Sequence, residues 1–126
     1  MIRSRRLFLF HMGSFVLFLS LWTWKLLEPH PVPEELRERL AGFDFAAAKT
    51  LHAGGYAFLA VLAATLPVAR FWRWCLLGFL VLHGAATEIG QTFVPNRTGR
   101  VYDVLIDWCG IALGVLAVRG ARRRPS

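Results

Sequence analysis

The stretch Leu7–Leu27, LFLFHMGSFVLFLSLWTWKLL, decides the fold class. It has the length of a membrane-spanning helix, about 20 mainly apolar residues, and its one charge, Lys25, stands at the far end. Arg3, Arg5 and Arg6 precede it, and Trp22 and Trp24 close it. Basic residues and tryptophans at the ends of an apolar run anchor it at the head-group level. The same order opens a signal peptide, but no small-x-small cleavage site follows, so an uncleaved first helix is expected.

Three further runs have similar character: Thr50–Val68, Trp74–Phe93 and Val101–Val118. Across the chain 56% of residues are hydrophobic, and the mean hydropathy is +0.45. Soluble domains hold roughly 45–50% apolar residues, and a chain of 126 residues could not hide this excess in one core. The expectation is an all-α, integral membrane bundle of four transmembrane helices, one domain over residues 1–126. Cys75 and Cys109 fall at different depths of opposed helices, so packing roles are expected and not a disulfide.

A net charge of +7 and a pI near 10.7 would suggest nucleic acid in a soluble domain. Here the arginines mark segment ends, so no nucleic-acid partner is expected and membrane lipids are. With a cytoplasmic N-terminus, the inside carries Arg3, Arg5, Arg6, Arg70, Arg73, Arg119, Arg122, Arg123 and Arg124. The outside carries Lys25, Arg37, Arg39, Lys49, Arg97 and Arg100. Nine against six places both termini inside. Trp72 and Trp74 then read as inner anchors, matching Trp22 and Trp24 outside.

The first outer loop opens with Pro29, Pro31 and Pro33, which oppose helix. Glu34–Leu40 reads as a short helix with Pro33 at its entry and Gly42 at its exit. Leu36, Leu40 and Phe43 share a face, which suits an amphipathic segment on the membrane surface. An ordered loop without function is the equal alternative.

A polar residue inside a span is expensive and is usually paired or functional. The outer turns of the second helix hold Lys49, His52 and Tyr56. The last turns of the third hold Glu88 and Gln91, and the first turns of the fourth hold Asp103 and Asp107; Arg97 and Arg100 lie between them. Spacings of three and four put each helical pair on one face. Gly84, Gly110 and Gly114 continue these faces inward, where small residues allow close packing. The acids and cations nearly balance, and Arg97 has the fork geometry to hold a carboxylate or phosphate. Two readings stand: an outward-facing binding pocket, or an ion-pair network that fixes helix register. His83, five residues before Glu88, points away from it at about 100° per residue and stays outside the site. His11 reads as bundle-facing.

Lys49, His52 and Tyr56 form K-x-x-H-x-x-x-Y. Glu88-Ile-Gly-Gln91-Thr-Phe93-Val-Pro95-Asn-Arg97 follows, then Asp103, Asp107, Gly110 and Gly114. This series resembles the VanZ-like family of small bacterial membrane proteins over about residues 49–114. The family pattern is E-x-x-Q-x-F-x-P-x-R, then Asp, Asn and two spaced glycines, after a D-K-x-x-H segment. The chain departs from it at Ala48, where the family has Asp, and at Asp107, where it has Asn. The resemblance implies a multi-pass protein of the bacterial plasma membrane in a cell-envelope setting. The founding member is associated with low-level teicoplanin resistance; the resemblance supplies no mechanism.

Three functions are therefore weighed. The preferred one is non-enzymatic: an outer-leaflet pocket binding an anionic lipid or a lipid-linked cell-wall intermediate through Arg97, Arg100 and Lys49. The second is an enzyme on a lipid-linked substrate, with His52 or Glu88 as general base and Arg97 stabilising negative charge. The third is a small transporter, for which only His11, Ser14 and His83 offer polar groups deeper in the membrane. Neither H-E-x-x-H nor G-x-S-x-G is present. No cofactor and no metal are expected; a set that could in principle hold a metal is His52, Glu88 and Asp103. Oligomeric state is not legible.

Overall fold

In the computed structural model, described for residues 2–29, 33–39 and 44–123, the chain is helical throughout, with no strand among the described residues. The described residues form four long helices, α1 (Ile2–Leu27), α3 (Asp44–Thr65), α4 (Arg70–Gln91) and α5 (Val101–Arg123), and one short helix, α2 (Glu34–Arg39). Of the face expected for the short segment, Leu36 is exposed, while Leu40 and Phe43 lie outside the described residues.

The helix limits differ from the apolar runs in a consistent way. α3 begins before Thr50 and stops at Thr65, because Pro67 cannot continue it. α4 starts at Arg70 and α5 runs on to Arg123, so arginines read as flanks lie within helical turns. Hydrophobicity finds the lipid-compatible part of a helix, whereas hydrogen bonding continues into the polar flank.

α1 and α4 run one way; α3 and α5 run the other. Trp22 of α1 packs on Gly55 of α3, and Leu27 of α1 reaches Gly90 of α4. α3 and α5 lie side by side in parallel, from Lys49 beside Asp103 at one end to Ala64 beside Arg122 at the other. Their closeness depends on missing side chains. A Cβ on Gly110 would run into the carbonyl of Ala53, and one on Gly114 into the carbonyl of Ala57 and, at 2.9 Å, the methyl of Ala60. Without a hydrophobic drive between helices in lipid, such backbone-to-backbone contact is a main source of association.

Leu59, Ala60, Ala63, Leu66, Leu80 and Ile111 make the apolar interior. Large apolar side chains also face outward, among them Leu9, Phe10 and Leu17 on α1, Leu82 on α4, and Leu113 and Leu116 on α5. Contiguous exposed apolar surface of this kind belongs against lipid or a partner. Arg5–Leu27 and Val101–Arg123 are long and apolar enough to cross a membrane. α3 and α4 are diluted by Lys49, His52 and Tyr56 and by His83, Glu88 and Gln91, the same residues that build the site.

Candidate functional site

The polar residues of α3, α4 and α5 meet at the end of the bundle where α1 and α4 finish and α3 and α5 begin. The last turn of α4 supplies Glu88 and Gln91, each 3% exposed, and the first turns of α5 supply Asp103 and Asp107, 6% and 0% exposed. Lys49 of α3 donates to Asp103 Oδ1. One turn further, His52 Nδ1 lies 3.1 Å from Asp107 Oδ1 and 3.8 Å from Glu88 Oε1. Gln91 Nε2 approaches Glu88 Oε1 at 3.4 Å. The other Glu88 oxygen, Oε2, accepts the backbone N–H of Arg100 at 3.0 Å. Three buried carboxylates thus stand around one lysine and one imidazole.

The loop after α4 holds this arrangement in place. Arg97 N–H donates to the Val94 carbonyl at 3.2 Å, and Asn96 at the third turn position has φ 61°. Pro before a residue of positive φ is the sequence of a type II turn, and Asn tolerates that conformation. The turn directs Arg97 to α1, where Nε donates to the Glu28 carbonyl at 2.9 Å and Nη2 to the Lys25 carbonyl at 3.1 Å. These are carbonyls at the end of α1 that no helical N–H reaches. The expected clamp on a carboxylate is therefore directed to main chain, and Arg97 ties the loop to α1. Burial lowers the pKa of this guanidinium, and Glu88 and Glu28 oppose that shift. Gly99 lets the chain return: a Cβ there would collide with the Glu88 carbonyl. Arg100 is exposed, and it is its backbone N–H that reaches Glu88.

Below the acids, Tyr56 joins helices instead of facing the carboxylates. Its hydroxyl lies 2.9 Å from His83 Nδ1 and 3.2 Å from Thr87 Oγ1. His83 Nε2 lies 2.8 Å from Thr23 Oγ1, whose own proton goes to the Leu19 carbonyl. That allocation makes Nε2 the donor and Nδ1 the acceptor of the tyrosine proton. His83 thus belongs to the polar network, contrary to the expectation from its angle to Glu88. The angle holds, but this network lies among α1, α3 and α4, and His83 faces Tyr56 and Thr23. The missed signal was Thr87, four residues after His83, together with Thr23 in an apolar run. Trp22 also departs from its expected role: it turns inward, edge-on to His52 and Tyr56. Trp24, Trp72 and Trp74 remain exposed. His11 bonds back to the Leu7 carbonyl of its own helix. Cys75 and Cys109 are both free.

Gly84 faces Asp107 and Tyr56 at ordinary packing distance, without the backbone contact seen at Gly110 and Gly114. A Cβ there would stand 3.4 Å from Asp107 Cβ and 3.6 Å from the Tyr56 ring. Asp107 Oδ2 has no hydrogen-bond partner among the described residues. The set able to hold a cation is His52, Glu88 and Asp107, each offering one ligand atom, all within 4.8 Å of one another. Asp103, expected in that set, is instead turned to Lys49.

The arrangement defines a class: small helical proteins with membrane-compatible helices and a buried acid–histidine–lysine cluster at one end. The chain belongs to the VanZ/LLP1 family, whose sequence profile matches residues 7–122, nearly the whole chain and well beyond the 49–114 motif region. No curated protein and no solved structure matches it.

Proposed function

We propose that this chain is a multi-pass protein of the bacterial plasma membrane, with α1, α3, α4 and α5 all spanning and both termini cytoplasmic. In this reading the polar cluster lies at the outer leaflet and receives the head group of an anionic lipid or a lipid-linked cell-envelope intermediate. The carrying observation is the convergence of Glu88, Gln91, Asp103 and Asp107, all buried, from two helices beside Lys49 and His52 of a third. Buried charge within an apolar bundle is costly and is kept where it has a task. The exposed guanidinium of Arg100 offers a phosphate or carboxylate ligand its first contact, and Arg97 keeps the loop that carries it in place.

The second reading, an enzyme acting on a lipid-linked substrate, draws on one contact. Asp107 Oδ1 lies 3.1 Å from His52 Nδ1, and a carboxylate that orients an imidazole is the usual support of a general base. Transport draws no support from the part of the interior built by Leu59, Ala63, Leu66 and Leu80, which is apolar.

The test is lipid retention by the full-length chain. Native mass spectrometry would compare phosphatidylglycerol with phosphatidylcholine, for wild type and Arg100→Ala. Selective retention of the anionic lipid, lost in Arg100→Ala, is expected. Equal retention of both lipids would remove the head-group reading. At the level of the cell, the envelope role predicts a teicoplanin-specific change in susceptibility of a bacterial host, also lost in Arg100→Ala at matched membrane levels.

A further inference from the structure

We propose that His52, Glu88 and Asp107 form a binding site for a divalent first-row metal ion such as Zn²⁺ or Mn²⁺. The inference rests on reading the polar cluster as a working site, but not on which lipid that site meets. Three observations carry it.

The first is geometry. α3, α4 and α5 each contribute one ligand, as in metal sites built into the cores of helix bundles. Metal–nitrogen and metal–oxygen bonds are about 2.0–2.2 Å, so neighbouring ligand atoms around one ion stand about 3.0–3.5 Å apart. His52 Nδ1 is 3.1 Å from Asp107 Oδ1 and 3.8 Å from Glu88 Oε1, and all three ligand atoms lie within 4.8 Å of one another, so binding an ion draws the glutamate toward the other two. An imidazole with two carboxylates is a mixed nitrogen and oxygen set, suited to zinc or manganese.

The second is the orphan oxygen. Asp107 is completely buried, and its Oδ2 has no hydrogen-bond partner among the described residues. A buried carboxylate oxygen without a donor is expensive. A cation held at Oδ1 draws on the charge that the two oxygens share and so lessens that cost without another protein donor.

The third is charge. Lys49 balances Asp103, and Arg97 is turned to the carbonyls of Lys25 and Glu28. With His52 binding as neutral imidazole, Glu88 and Asp107 can offer two negative charges to one divalent ion. Support for the ligands is already present. The Arg100 N–H holds Glu88 Oε2 and so directs Oε1 toward His52, which is the orienting role that outer hydrogen bonds play around metals.

The experiment uses the full-length protein in detergent, stripped with a chelator and then titrated separately with Zn²⁺ and Mn²⁺. Bound metal is read by elemental mass spectrometry, and the thermal midpoint is followed in parallel. About one equivalent per chain is expected, with a raised midpoint. Asp107→Asn and Glu88→Gln should weaken binding beyond the about 10–100-fold that changes around a ligand cost. Arg119→Ala, at the opposite end of the bundle, should keep full uptake. Wild-type protein that takes up neither ion would overturn the site, and that result does not depend on the folding of any variant. Equal uptake by wild type and Asp107→Asn would overturn it as well. Metal uptake by a wild-type chain without lipid selectivity separates the two readings, and so does lipid selectivity in a wild-type chain that binds no metal.

Discussion

Both ends of the bundle are crowded with charge, and they handle it in opposite ways. At one end, Glu88, Asp103 and Asp107 are buried and face Lys49, His52 and the Arg100 amide. At the other, Arg70, Arg73, Arg119 and Arg122 surround a cavity of about 270 Å³ that no acidic residue lines. There two of the guanidinium groups are served individually, while Arg73 Nε is buried without a hydrogen-bond partner among the described residues. Arg122 donates to the Ala64 carbonyl at 3.1 Å, and Arg119 lies 5.5 Å from the centre of the Trp74 ring. The contrast separates two uses of charge. Inward charge must find its partner inside the protein, so it fixes how helices meet and marks a site. Peripheral charge can be met by solvent, ring faces or head groups, so it sets orientation and leaves packing alone.

The largest effect should therefore come from breaking a pair at the acidic end. Lys49→Met leaves the Asp103 carboxylate buried without its cation, a loss of about 3–5 kcal/mol where one partner of a buried pair is removed. Adding Asp103→Leu should recover much of it, because a matched apolar pair carries no stranded charge. Unfolding in detergent of the two single variants and the double variant measures this. A double variant no better than Lys49→Met would mean that the two residues do not act as a pair.

Packing provides the next contrast, along α5 itself. Gly110→Val pushes a side chain into the Ala53 carbonyl and should cost about 1–3 kcal/mol through overpacking. Gly120→Val, at the arginine end, meets nothing within 4 Å and should be close to neutral. Equal losses at the two positions would show that the α3–α5 contact is not what Gly110 protects.

Much of this was legible in the sequence, for a physical reason. Helical periodicity ties spacing to direction, so Glu88 with Gln91 and Asp103 with Asp107 could be assigned to common faces. The apolar runs located the four long helices. What escaped were contacts decided by a third helix. Arg97 has the chemistry of a carboxylate clamp, but the Pro95–Asn96 turn delivers it to the open carbonyls of α1, and nothing local in the sequence encodes where α1 ends in space. His83 was judged by its angle to Glu88 alone, although the relevant neighbours were Tyr56 and Thr23. Trp22 has the composition of an interfacial anchor, but Gly55 opposite it leaves a space that the indole fills.

The smallest effect belongs to the arginine end, and it sharpens the comparison most directly. Arg122→Ala removes one hydrogen bond at an exposed carbonyl and should change stability by no more than about 1 kcal/mol. Its consequence should appear instead in orientation. Each arginine removed from that end reduces the excess of basic residues over the Lys25, Lys49, Arg97 and Arg100 end. Replacing Arg119 and Arg122 together should therefore increase the fraction of chains inserted the wrong way round, while the correctly inserted fraction unfolds like wild type. Labelling of single cysteines placed at either end of α5, with membrane-impermeant reagent on intact cells, reads the first quantity. Unfolding of the purified protein reads the second. A stability loss as large as that of Lys49→Met, without any change in labelling, would show that the arginines are structural partners after all and that the two ends obey the same rule.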